Sequence, residues 1–124
     1  MSKSDKPVAI ITGGSRGVGE ATAKLLASKG WNVTITCTSS IEDANKVVTE
    51  CENLGVEALA LSADVSENNE CKKTADETLK KWGRIDSVVN NAGTTKFVFD
   101  HGDLEGLDAE DFLHIYKVNV VGPF

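Results

Sequence analysis

The apolar run Val8-Ala9-Ile10-Ile11 leads within two residues into a glycine-rich segment, Gly13 to Gly19. Residues at helical spacing follow: Val18, Ala21, Leu25 and Leu26. A continuous apolar run without polar alternation reads as a strand covered on both faces. A strand of that kind belongs to a parallel sheet, which needs a crossover helix between neighbouring strands. The first thirty residues therefore point to an α/β architecture and away from an antiparallel sandwich or a helical bundle.

The rest of the chain repeats the alternation. Gly30 ends the first helix, and the β-branched stretch Val33 to Cys37 reads as a second strand. Ile41, Ala44, Val47, Val48, Cys51 and Leu54 form the clearest helical stripe, with Ser39 and Glu42 spaced as a capping box before it and Gly55 after it. A third strand is expected over 56–62, ending at Asp64, with Ser66 as the N-cap of a third helix marked by Cys71, Ala75, Leu79 and Trp82. Residues 85–89 read as a fourth strand. Thr94 to Leu107 reads as a loop long enough to carry function. A fourth helix starts near Asp108 and carries Phe112, Ile115, Tyr116 and Asn119. The order β-α-β-α-β-α-β-α with right-handed crossovers predicts a Rossmann-like parallel sheet with helices on both faces and strand order 3-2-1-4. A chain of 124 residues holds one such domain, spanning 1–124.

Charge narrows the partners. Thirteen Lys and Arg against nineteen Asp and Glu leave a formal charge of −6, which argues against nucleic-acid binding over a broad surface. No apolar run approaches the roughly 18 residues that span a bilayer, and the N-terminus is polar, so no membrane association is expected. Cys37, Cys51 and Cys71 are odd in number and lack metal or redox-pair spacing, which reads as free thiols in a cytoplasmic protein.

The chemistry concentrates in Thr12-Gly13-Gly14-Ser15-Arg16-Gly17-Val18-Gly19. Between a strand and a helix, glycines let the backbone turn sharply and approach a ligand. The helix start then offers free N–H groups and partial positive charge to a pyrophosphate. The bland alternative is a tight turn that binds nothing.

The spacing Gly-x-x-x-Gly-x-Gly resembles the cofactor motif of the short-chain dehydrogenase/reductase family. Asn90-Asn91-Ala92-Gly93 matches that family's Asn-Asn-Ala-Gly motif, Asp64-Val65 its adenine-contacting pair, and Asn119 in Val118-Asn119-Val120 the asparagine of its catalytic tetrad. The matches follow in family order from about residue 8 to the last, and look most like the 3-oxoacyl-carrier-protein-reductase-like members. The resemblance implies cofactor contacts from Gly13, Ser15, Arg16, Gly17, Val18, Gly19, Asp64, Val65, Asn91, Ala92 and Gly93. It also implies that Asn119 holds a water in a proton relay at a distortion of its helix. Read singly, Asp64 is a turn residue, Asn91 satisfies turn backbone and Asn119 is a core polar group.

Cofactor choice turns on the end of the second strand. An NAD site usually places a carboxylate there, whereas this chain has Thr38, Ser39 and Ser40. Hydroxyls can donate to a 2′-phosphate, and Arg16 can reach the same group. Glu42 and Asp43, just downstream, oppose this. NADP(H) is expected over NAD(H), which stays possible. A metal at Asp100-His101-Gly102-Asp103 is not expected, because no second histidine is near. An S-adenosylmethionine site would want an acidic residue at the second strand's end and would not explain Asn90 to Gly93.

The family's catalytic Ser, and its Tyr followed four residues later by Lys, have no match. The one tyrosine, Tyr116, has Val120 at that offset. The resemblance thus implies the cofactor-binding, N-terminal part of an oxidoreductase interconverting a ketone and a secondary alcohol, truncated after the fourth helix and inactive alone. Its parent would take a small carbonyl or alcohol substrate and form a homo-oligomer. The alternative is a non-catalytic nucleotide-binding or assembly fragment. Phe97 and Phe99 in the long loop are candidates to line a substrate pocket or to cover the sheet end.

Overall fold

The computed structural model describes residues 3–124. Four strands, β1 (Val8–Ile11), β2 (Asn32–Cys37), β3 (Ala58–Ser62) and β4 (Ser87–Val89), alternate with α1 (Gly17–Ser28), α2 (Ile41–Glu52), α3 (Asn68–Trp82) and α4 (Ala109–Tyr116). The last helix runs on into a π-helical turn, Lys117–Val121. The strands form one sheet in the order β3-β2-β1-β4 with every pair parallel. The expected topology is therefore observed, with β3 and β4 at the edges.

Alternation along each strand divides the interior into two layers. Ala9, Ile11, Val33 and Ile35 join Ala23 and Ala27 of α1 and Ala44, Val47 and Cys51 of α2 in one buried cluster. On the opposite face, Thr34 meets Thr78 of α3 through a 2.8 Å hydroxyl pair. The α2 stripe is thus as expected at its centre, while its ends, Ile41 and Leu54, are exposed.

Two expected helix faces need correction. In α1 the buried residues are Gly19, Ala23 and Ala27, whereas Val18 and Leu25 are 74% and 60% exposed. The helix lies close to the sheet, so small residues fill the fully buried positions, while Leu26 of the expected stripe packs partly buried against the cluster. In α3 the buried residues are Thr74, Thr78 and Trp82, and Leu79 is exposed. Thr74 and Thr78 donate their hydroxyls to the carbonyls of Glu70 and Thr74, which makes their burial affordable.

The caps are also displaced. Ser40, not Ser39, precedes α2, and no side chain caps that helix. Glu67 rather than Ser66 precedes α3, because Ser66 is drawn back onto the Asp64 carboxylate. At α4 the expected start holds: Asp108 and Asp111 form a reciprocal capping box.

Candidate functional site

Three strand ends are laced together where the glycine turn leaves β1. The Thr12 amide donates to Val89 O, and the Thr12 hydroxyl oxygen accepts from the Asn91 and Ala92 amides at 3.1 and 3.0 Å. Asn91 returns the contact, its Nδ2 donating to the carbonyls of Thr12 and Gly13, each at 3.0 Å. From the other side, Gly13 and Gly14 donate their amides to the hydroxyl and carbonyl of Thr36 in β2. The turn is thereby fixed by β1, β2 and β4 together.

The glycines serve different physical needs within this lacing. Gly17 has φ +58° with open space around it, so its requirement is conformational. Gly19 has no such constraint, but a Cβ there would lie 2.2 Å from Gly13 O and 2.6 Å from Asn91 Nδ2. The same holds for Gly14, whose Cβ would lie 2.6 Å from Ile35. Close approach of α1 to the turn therefore depends on a bare backbone at Gly19.

A cleft of about 450 Å³ opens at the carboxyl ends of the strands. Its walls bring together Gly13, Ser15, Arg16, Thr38, Ser39, Asp64, Val65, Asn91, Ala92 and Gly93 from the expected set. Gly17, Val18 and Gly19 stand apart from the walls, in the first turn of α1. Arg16 precedes α1 and no side chain caps it, so the first-turn N–H groups keep their donor capacity at the cleft edge. A cradle that tolerates no Cβ, opening beside uncapped amide donors, fits the pyrophosphate of a dinucleotide.

Asp64 is held by Ser66, whose amide and hydroxyl donate to Oδ1 at 2.9 and 2.7 Å. Those donors, aided by the nearby Lys117 ammonium, hold its carboxyl below the usual carboxylate range. Asp64 is thus an anion on the cleft wall. Glu42 and Asp43 are absent from the walls, and Thr38, Ser39 and Ser40 line the cleft there, the Ser40 hydroxyl donating to Asp43 Oδ2 at 2.6 Å.

Asn119 lies in the π-helical turn, where a distortion was expected, but it does not line the cleft. Its Oδ1 accepts from the Thr94 amide at 2.8 Å, and its Nδ2 donates to the Thr94 carbonyl at 2.9 Å. Both polar ends of the side chain are therefore engaged in pinning the loop that follows Gly93. Phe97 and Phe99 are 79% and 98% exposed, so neither lines a pocket nor covers the sheet end. Among the described residues, no three metal-ligating side chains come together.

Thr36, Thr94, His114 and Val118 also line the cleft and were not foreseen from the sequence. Thr36 carried no distinguishing signal, since Thr34 is a second hydroxyl residue in the same strand. His114 carried none, because its place on the cleft depends on how α4 folds back over the strand ends.

The family model for short chain dehydrogenases matches residues 7–124. The chain belongs to the short-chain dehydrogenase family. A short-chain dehydrogenase/reductase of Pestalotiopsis microspora is 40% identical over 120 residues, covering 97% of this chain and 44% of that protein. A short chain dehydrogenase of Burkholderia cenocepacia, solved in complex with NADP, is 39% identical with a TM-score of 0.83, covering 96% of this chain and 46% of the other. An NAD+-bound xylitol dehydrogenase is 28% identical with a TM-score of 0.82, covering 94% and 43%. This short-chain dehydrogenase chain thus spans about half the length of the relatives it matches. It has the nucleotide-binding fold of an oxidoreductase family. Among the described residues, no helix is long and apolar enough to cross a membrane.

Proposed function

We propose that this chain is the cofactor-binding part of an NAD(P)(H)-dependent oxidoreductase that interconverts a ketone and a secondary alcohol, with NADP(H) preferred. The observation that carries the preference is the cleft wall at the end of β2. It offers the hydroxyls of Thr38 and Ser39 and the Arg16 guanidinium, with neither Glu42 nor Asp43 on it. A 2′-phosphate gains charge-assisted hydrogen bonds there, whereas a ribose 2′-OH finds no carboxylate to accept its proton.

The bound nicotinamide would supply or take up the hydride. The residues of this chain hold and orient it. Gly13 and Ser15, with the first-turn amides of α1, receive the pyrophosphate, and Asp64 and Val65 receive the adenine. Asn91 keeps the turn in shape through its two carbonyl contacts. Asn119 acts as a positioning residue for Thr94 on the cleft wall, since its side chain fixes the Thr94 backbone. The parent protein would take a small carbonyl or alcohol substrate in the cytoplasm. Exposed Val88 at the sheet edge, and Phe112, Leu113 and Tyr116 on α4, favour assembly with further protein surface, as in a homo-oligomer.

Titration of NADP(H) and NAD(H) against the chain and its Arg16→Ala variant tests the reading. The variant should lose about 1–3 kcal/mol toward NADP(H) and almost nothing toward NAD(H). Tighter binding of NAD(H) by the unmutated chain would refute the preference.

A further inference from the structure

We infer that His114 of α4 is a further cofactor-binding residue, its imidazole contacting the adenine base from the α4 side of the cleft. The inference rests on the proposed reading of Asp64 and Val65 as the adenine wall. His114 lines the same cleft as Ala63, Asp64 and Val65, the segment that follows β3. Val118, four positions on, lines it as well and is buried, so one side of this helix is turned to the cleft. The end of the helix is seated on the adenine wall itself: a Cβ at Gly122 would lie 2.8 Å from Val65 O and 2.9 Å from Val65 Cγ2. Asn119 ties the same turn to Thr94. Packing beyond His114 therefore fixes its place along the cleft.

The imidazole has no structural duty. It is exposed, and among the described residues it forms no ion pair. Asp111, three positions before it, is taken up by Lys96 and the Asp108 amide. Across the same cleft, Ser66 occupies only Oδ1 of Asp64. Adenine presents an exocyclic amine that donates and ring nitrogens that accept. The Asp64 carboxylate is an acceptor only, so it serves the amine and leaves the ring nitrogens unserved. An imidazole supplies an N–H donor in either protonation state. Asp64 and His114 thus offer the two kinds of contact that the base requires. NAD(H) and NADP(H) share the adenine, so His114 acts on both alike, unlike Arg16.

Proton NMR on the 124-residue chain tests this. His101 and His114 are its two histidines, and a His101→Ala variant assigns their ring signals. Added 5′-AMP should shift the His114 ring resonances and leave those of His101 in place, whereas nicotinamide mononucleotide should shift neither. In calorimetry, His114→Ala should weaken NADP+ and NAD+ by the same factor, about two- to tenfold for one lost hydrogen bond, with the thermal unfolding midpoint unchanged. Unmoved His114 resonances when 5′-AMP binds would overturn the inference and leave the nucleotide-binding reading intact. Unequal losses toward the two dinucleotides, or a His114 shift with nicotinamide mononucleotide, would put the residue at another part of the cofactor and overturn it as well. A chain that binds NAD+ as tightly as NADP+ would refute the cofactor preference, while a His114 shift with 5′-AMP would still uphold this inference. Binding of none of these nucleotides would overturn both readings.

Discussion

Replacing Gly19 by alanine should damage the fold and the cleft together. The added Cβ would lie 2.2 Å from Gly13 O, 2.9 Å from Gly13 C and 2.6 Å from Asn91 Nδ2. Comfortable carbon contacts begin near ~3.5 Å, so either α1 or the glycine turn must shift by about 1 Å. Overpacking of this kind costs about 1–3 kcal/mol. The shift also breaks the 3.0 Å bond from Asn91 Nδ2 to Gly13 O, worth about 0.5–1.5 kcal/mol. Alanine's better helix propensity returns up to about 1 kcal/mol. The balance is a loss of about 2 kcal/mol, which lowers a urea midpoint by about 1 M at an m-value near ~2 kcal/mol/M. Val18→Ala is the matched control: it lies one residue away, its side chain is largely exposed, and it should change stability by less than about 0.5 kcal/mol. NADP+ affinity should fall with Gly19→Ala, in step with the displaced turn. A Gly19→Ala chain that unfolds at the unmutated midpoint and binds cofactor normally would show that the turn is not held as described.

Three further outcomes follow from the same geometry. Asp86 accepts from Arg84 and from the Val8 amide, and these contacts depress its carboxyl to about 2; because the folded value lies below the unfolded one, this stabilisation is complete above about pH 4 and is lost as pH falls through about 2. Asp86→Asn should flatten that part of an acid-unfolding curve, and an unchanged curve would count against the contact. Asn119→Ala removes both bonds to Thr94 and should speed hydrogen exchange at the Thr94 amide while costing about 0.5–1.5 kcal/mol or less. The 124-residue chain should oxidise no NADPH with a panel of ketones, since Tyr116 is followed by Val120 where the family pattern has lysine and a positioned proton donor is worth about 10²–10⁴ in rate; activity lost in Tyr116→Phe would refute this.

Topology was legible because it depends on the alternation of apolar runs and helical stripes, which local sequence records. Helix faces were less so. Hydropathy assigns Val18 and Leu25 to the inside of α1, but the inward positions are the small ones, since strand and helix approach closely at Gly19 and Ala23. In α3 the inward Thr74 and Thr78 are polar by composition. They are buried because each satisfies its hydroxyl on its own helix, with Thr34 waiting across the sheet. Neither fact can be read from a periodicity. The cleft residues on strand ends were legible through their motifs. Thr36 and His114 were not, because they reach the cleft by tertiary placement alone.

The hydrogen bonds that shape the cleft are the same ones that join its strands. Thr12 and Asn91 bridge β1 to the segment after β4, and Thr36 bridges the glycine turn to β2. Backbone at the carboxyl end of a parallel sheet must find partners outside the ladder, and here the turn supplies them. A short central strand of four residues has few ladder bonds of its own, so these end contacts form a large share of what fixes its register. The asparagine and threonines of the motif are therefore required by the fold before any ligand arrives. Arg16, Thr38 and Ser39 carry no comparable structural duty: Arg16 caps nothing, and the other two stand exposed at the end of β2. Substitution should accordingly separate the two groups. Changes at Asn91 should lower stability and affinity together, whereas changes at Arg16 or Ser39 should alter cofactor choice at constant stability.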